Sequence, residues 1–127
     1  MTENELSYII RGAIFKVYSA LGRGLFEAVY ELILTRELLD TGLHVECQVP
    51  MPVVYKGEKL EGGYRIDLLV NDLVIVEIKS VESLAEIHHK QLVTYLKLSG
   101  KKLGLLVNFN SRDISESIFR KVNGLYD

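Results

Sequence analysis

The sequence predicts a mixed α/β (α+β) fold: a central mixed β-sheet flanked by helices, in the order α-α-β-β-β-β-α-β-α. Three observations carry this. Near the N-terminus Leu6, Ile9, Ile10, Ala13, Ile14, Val17, Tyr18 and Leu21 recur at helical spacing. In Leu73-Val74-Ile75-Val76-Glu77-Ile78-Lys79 apolar residues occupy both parities, the pattern of a strand buried on both faces. A helix-like segment then leads to a second buried-type run, Leu103–Phe109. Strand, crossover helix, strand in that order implies a parallel pair. With 127 residues and 48% hydrophobic content, the chain suits one domain spanning residues 1–127.

Thr2-x-x-Glu5 reads as a capping box for the first helix. Gly22-Arg23-Gly24 breaks that helix, and a second is expected from about Leu25 to Asp40, closed by Thr41-Gly42. Strands are expected near His44–Val49 and Val53–Lys56, with Pro50 and Pro52 dividing them at an edge or bulge. Lys56-Gly57-Glu58 reads as a turn, Gly62-Gly63 as a loop or bulge, and Asn71-Asp72 as the turn between strands Tyr64–Val70 and Leu73–Lys79. A helix from about Glu86 to Leu98 ends at Ser99-Gly100, and Ile114–Val122 is read as a terminal helix.

Bulk properties narrow the function classes. No stretch approaches the ~20 apolar residues of a membrane span, and the N-terminus lacks a basic-then-apolar signal, so a cytoplasmic location without membrane is expected. The single cysteine, Cys47, fits a reducing compartment, and its alternation with Leu43, Val45 and Val49 reads as a buried strand position. The net charge of −2 does not advertise nucleic-acid binding, but it is unevenly spread. Residues 1–78 hold 7 basic and 12 acidic side chains; residues 79–127 hold 8 basic and 5 acidic. Lys79, Lys90, Lys97, Lys101 and Lys102 could flank a phosphate path, or simply solvate a surface.

Asp67, Glu77 and Lys79 stand out chemically. Glu77 and Lys79 are two apart on a strand and share a face. A carboxylate and an ammonium at the end of an otherwise apolar strand are costly to bury without a purpose. Aspartate is disfavoured mid-strand, where Asp67 sits. Paired carboxylates suit a hard divalent cation, and a lysine suits an attacking water or a scissile phosphate.

Asp67, Glu77-Ile78-Lys79 and the downstream Gln91 together resemble the core of the PD-(D/E)xK nuclease superfamily. Upstream, Gly24, Glu27 and Tyr30 within Leu21–Glu31 resemble the signature of its GxxExxY branch. The resemblance runs from about Leu6 to Phe109. It implies a restriction-endonuclease-like fold and Mg²⁺- or Mn²⁺-dependent hydrolysis of DNA or RNA. By that resemblance Asp67, Glu77, the Ile78 carbonyl and Glu27 would hold the metal, Lys79 would act on the water or the transition state, and Gln91 would position lysine or substrate. Tyr30, His88 and Tyr95 would support the site. Ile66 stands where many branches have proline, and Leu25-Phe26 inverts the commoner order; neither removes a ligand. His88 and His89 lack the i,i+4 pairing of a zinc site. A catalytically idle domain that binds nucleic acid or a protein partner is the alternative, and a homodimer is left open.

One geometric condition follows. A two-residue turn at Asn71-Asp72 would oppose Asp67 to Val76 and Ile66 to Glu77, turning the two carboxylates to opposite faces. A shared site therefore requires a three-residue connection or a bulge, with the carboxylates and Lys79 expected on the face crossed by the Glu27 helix.

Overall fold

The computed structural model describes residues 1–126. It is an α+β architecture with one five-stranded mixed sheet between helices. Helices α1 (Glu3–Leu21) and α2 (Glu27–Asp40) precede strands β1 (Val45–Tyr55), β2 (Glu58–Val70) and β3 (Val74–Lys79). Helix α3 (Glu86–Ser99) crosses over to β4 (Leu103–Asn108), and a short 3₁₀ turn (Ile114–Glu116) leads into β5 (Ile118–Val122). The spatial order is β1-β2-β3-β4-β5, antiparallel except for the parallel β3–β4 pair that the crossover implied.

The caps behave as the residues dictate. Thr2 and Glu5 exchange side chain-to-backbone bonds at the start of α1. Gly22 stops α1 at φ 69°, and Gly100 closes α3 in the left-handed conformation. Two apolar layers cover the sheet. Leu68, Val70, Val74, Val76, Ile78, Leu103, Leu105 and Val107 pack beneath α1 and α2, while Ile75 and Leu106 pack beneath Leu92, Tyr95 and Leu96 of α3. Strands β3 and β4 are therefore enclosed from both sides, as expected.

Three expectations are corrected. The two short strands assigned to His44–Val49 and Val53–Lys56 are one strand, β1, running through both prolines. It is the sheet edge, where a missing N–H costs no ladder bond, and its register with β2 shifts between Met51 and Val53. Gly63 lies inside that irregularity; a Cβ there would sit 2.6 Å from Val53 Cγ2 and 3.3 Å from the Met51 carbonyl. The terminal helix read at Ile114–Val122 is a single 3₁₀ turn followed by β5, because the open edge of β4 supplies ladder partners. Cys47 is exposed rather than buried: it sits on the edge strand, against the Thr35 hydroxyl at 3.5 Å.

The β2–β3 connection has three residues. Val70 pairs with Val74, Leu69 with Ile75 and Leu68 with Val76. Asn71 and Asp72 both take positive φ, 50° and 57°, and Leu73 N–H closes the turn on the Val70 carbonyl. Continuing this register sets Asp67 opposite Glu77, which the shared-site condition required.

Candidate active site

Regular pairing ends at Leu68–Val76, and the β1–β2 ladder also skips the step where Asp67 meets Gln48. Gln48 has φ 52°. The strands switch faces here: Leu68 packs toward α1 and α2, whereas Ile66, two residues earlier, packs toward α3. Side chains then take over the broken ladder. The Asp67 carboxylate accepts the Ile78 N–H at 2.8 Å, and the Glu77 carboxyl accepts the Asp67 N–H at 3.2 Å. Each carboxyl group satisfies a backbone donor on the opposite strand that would otherwise lack a partner.

Glu77 is 4% exposed. Burial first, then the hydrogen bond and charge of Asp67, push its carboxyl up to about 10, with Lys79 opposing. Asp67 is felt elsewhere too. Tyr95 on α3 is pushed up to about 12 by burial and then by Glu77 and Asp67. Glu31 on α2 is raised by burial, with the Gln48 hydrogen bond opposing and the Asp67 charge adding to the rise. Gln48 Nε2 donates to Glu31 at 3.0 Å and reaches Asp67 Oδ1 at 3.4 Å. Glu31 and Gln48 thus join the surroundings of Asp67, although only Glu31's spacing, one turn beyond Glu27, was visible in the sequence. The positive φ that brings Gln48 inward carries no local signature.

The expected face is only half right. Glu77 alternates with Ile75, which packs against α3, so it leaves β3 on the α3 side, near Tyr95. Helix α2 reaches Asp67 through Gln48 and Glu31. Glu27 accepts the Ser80 N–H at 3.3 Å instead of meeting the carboxylate pair. Among the described residues no group of three or more His, Cys, Asp or Glu is arranged to hold a metal. The structure brings Asp67 and Glu77 together and leaves Glu27 outside. Two adjacent carboxyl groups still fit a hard cation, because Mg²⁺ commonly takes one or two carboxylates and keeps several waters.

The Gly-x-x-Glu-x-x-Tyr segment works on the end of β3. Tyr30 is fully buried and stacks on Phe109 with centroids 4.4 Å apart. Its hydroxyl donates to the Gly22 carbonyl at 2.6 Å and accepts the Leu25 N–H at 3.2 Å. The Leu25 carbonyl in turn accepts the Ser80 hydroxyl at 2.5 Å. Glu27 and Tyr30 therefore fix the residue that follows Lys79. Asn108, beside Lys79 in the parallel register, does the same from β4: its amide bonds both backbone groups of Val81. Ser80 and Asn108 carried no sequence signal, since their role depends on strands meeting.

The other expected residues separate. Tyr95 lies beside the carboxylates, and Gln91 is half-buried one turn before it on α3. His88 caps α3, its Nδ1 accepting the Ala85 N–H at 3.0 Å. Lys101 pairs with Asp72 at 3.1 Å, and with Lys102 it precedes β4 at the end remote from Lys79. A six-residue strand is about 20 Å long at ~3.3 Å per residue, so these two lysines do not border the carboxylates. No helix among the described residues is long and apolar enough to cross a membrane.

No curated protein and no solved structure matches this chain. A family model does, over residues 4–121, and that span contains the carboxylate pair, Lys79 and the whole sheet apart from the final residue of β5. The chain belongs to the PD-(D/E)XK nuclease superfamily.

Proposed function

We propose that the protein is a metal-dependent nuclease of the GxxExxY branch, hydrolysing phosphodiester bonds in DNA or RNA at Asp67, Glu77 and Lys79. The observation that carries this is the broken β2–β3 ladder, where two carboxyl groups meet and a lysine follows two residues on. The Asp67 and Glu77 carboxylates and the Ile78 carbonyl would hold Mg²⁺ or Mn²⁺. When bound, such an ion acidifies a water and neutralises charge growing on the phosphate.

The remaining roles belong to the chain. Lys79 presents its ammonium on the Glu77 side of β3, where it orients the attacking water and stabilises the charged transition state. The Ser80 tether to Glu27 and Leu25 keeps Lys79 from swinging away with the loop that follows. Gln91 and Tyr95 form the α3 wall of the site. Glu27 acts as a positioning residue in this reading, not as a direct ligand.

The test is incubation with single- and double-stranded DNA and RNA in Mg²⁺ or Mn²⁺, with chelator and Lys79→Ala as controls. Metal-dependent cleavage by wild type that the Lys79→Ala variant loses is the expected result. Cleavage unchanged in that variant, or none on any nucleic acid, would sink the assignment. Binding without cleavage would favour a catalytically idle domain.

A further inference from the structure

Beyond Lys79 the chain borders a separate cleft of about 820 Å³, at the carboxyl ends of the parallel strands β3 and β4. Ligands of sheets with parallel strands characteristically bind there, and the volume falls in the range of ligand pockets, roughly 300–1,000 Å³. It is lined by the loop after β3 (Glu82, Ser83), by the loop after α1 (Arg23) and by the loop after β4 (Asn110, Ser111, Arg112). None of the proposed metal ligands lines it.

Arg23 and Arg112 are exposed, and neither makes an ion pair among the described residues. The residue before each arginine is bonded to Tyr18. The Tyr18 carbonyl accepts the Gly22 N–H at 2.8 Å, and the Tyr18 hydroxyl donates to the Ser111 carbonyl at 2.5 Å. Ser111 is further tied to Asp113 and Ser117. Two guanidinium groups on anchored loops suit an anion, since little backbone freedom is lost when one binds between them. Glu82 is the acidic member of the lining, set against two arginines. On the cleft wall His89 stands edge-on to Phe119 at 4.8 Å, and its Nδ1 is closed off with no protein partner. Burial, then Lys121 and His88, lower its pKa, with Glu86 opposing.

We propose that this cleft grips a backbone phosphate of the nucleic-acid strand next to the scissile one, with Arg23 and Arg112 as its ligands. The assignment rests on the nuclease reading for the identity of the strand. A phosphate held there draws the strand across the end of β3, past Lys79, and sets its register over the carboxylates.

The experiment measures binding of a short single-stranded oligonucleotide to the full chain in chelator at several salt concentrations. It compares wild type, the pair Arg23→Gln/Arg112→Gln, the pair Lys90→Ala/Lys97→Ala, and Tyr18→Phe. The arginine pair is expected to weaken binding by about tenfold or more and to flatten the salt dependence by roughly 0.7 per lost phosphate contact. The lysine pair should change neither by a comparable amount. Tyr18→Phe should weaken binding with the salt slope unchanged, since it loosens the loops and removes no charge. In cleavage, the arginine pair should raise KM and leave kcat near wild type. Equal affinity and slope in wild type and the arginine pair overturns the cleft, as does a loss confined to kcat. Absence of any binding by wild type overturns the cleft, and cleavage alone then decides the nuclease reading. Arginine-dependent binding without cleavage upholds the cleft and sinks the nuclease reading alone.

Discussion

At one end of the β3–β4 pair Asp72 and Lys101 meet at 3.1 Å, with the Asp72 side chain 73% exposed. At the other end Asp67 and Glu77 meet, two residues before Lys79, where Glu77 is 4% exposed and the ladder is open. Both ends carry carboxylate and ammonium. At the first, water solvates the carboxylate, the turn is regular and the pair contributes little. At the second, burial makes charge expensive, and the neighbouring Asp67 carboxylate adds to it, so a proton is held on Glu77. What separates a surface ion pair from a candidate reaction centre is access to water and the break in backbone pairing, not residue type.

The sharpest way to break this comparison is through activity. Lys79→Ala or Asp67→Asn should lower cleavage by ~10²- to 10³-fold, the scale of lost transition-state charge stabilisation. Asp72→Asn and Lys101→Ala should cleave like wild type. Equal losses at both ends would mean that the buried end has no special chemistry.

Acidity comes next. In metal-free protein the folded Glu77 carboxyl is raised from 4.5 to about 10. The folded state therefore holds a proton that the unfolded state releases above pH 4.5. That stabilisation is fully present below the unfolded value and is lost as pH rises toward about 10, at up to ~1.4 kcal/mol per pH unit. Denaturant melts in chelator across this window should show the fall, and Glu77→Gln should flatten it. A wild-type profile as flat as that of the variant would contradict a buried, protonated Glu77.

Metal should reverse part of that penalty. At a hundredfold excess of Mn²⁺ over Kd, a native-state site adds ~2.7 kcal/mol. Thermal melts should rise with Mn²⁺ in wild type and not in Asp67→Asn, while Asp72→Asn keeps the full shift. A shift of the same size in Asp67→Asn would move the metal elsewhere.

The smallest effect is at the exposed end. Removing the Asp72–Lys101 pair should cost less than ~1 kcal/mol, falling further with salt. A larger loss by chemical denaturation would show that this pair fixes the β2–β3 turn and is more than a solvated contact.

The sequence carried helices α1 to α3, the buried β3 and β4 strands, their parallel relation and the candidates Asp67, Glu77 and Lys79. These depend on hydrophobic period, capping residues and local spacing, which are properties of short segments. It also posed the register problem between Asp67 and Glu77 without solving it. The three-residue turn that sets them opposite depends on Asn71 and Asp72 both accepting positive φ, while Leu73 closes the turn.

Tertiary structure decided the rest. Whether Ile114–Val122 became helix or strand depended on an unpaired edge of β4 many residues away. Glu27 meets the Ser80 N–H at the end of β3, a contact that exists only once α2 docks on the sheet. Glu31, Gln48 and Asn108 entered through contacts across 17 to 27 residues of chain. Such contacts form only after strands pair and helices dock. A hydrogen-bond donor left without a partner by a broken ladder exists only in the folded sheet, and no local pattern announces which side chain will fill it.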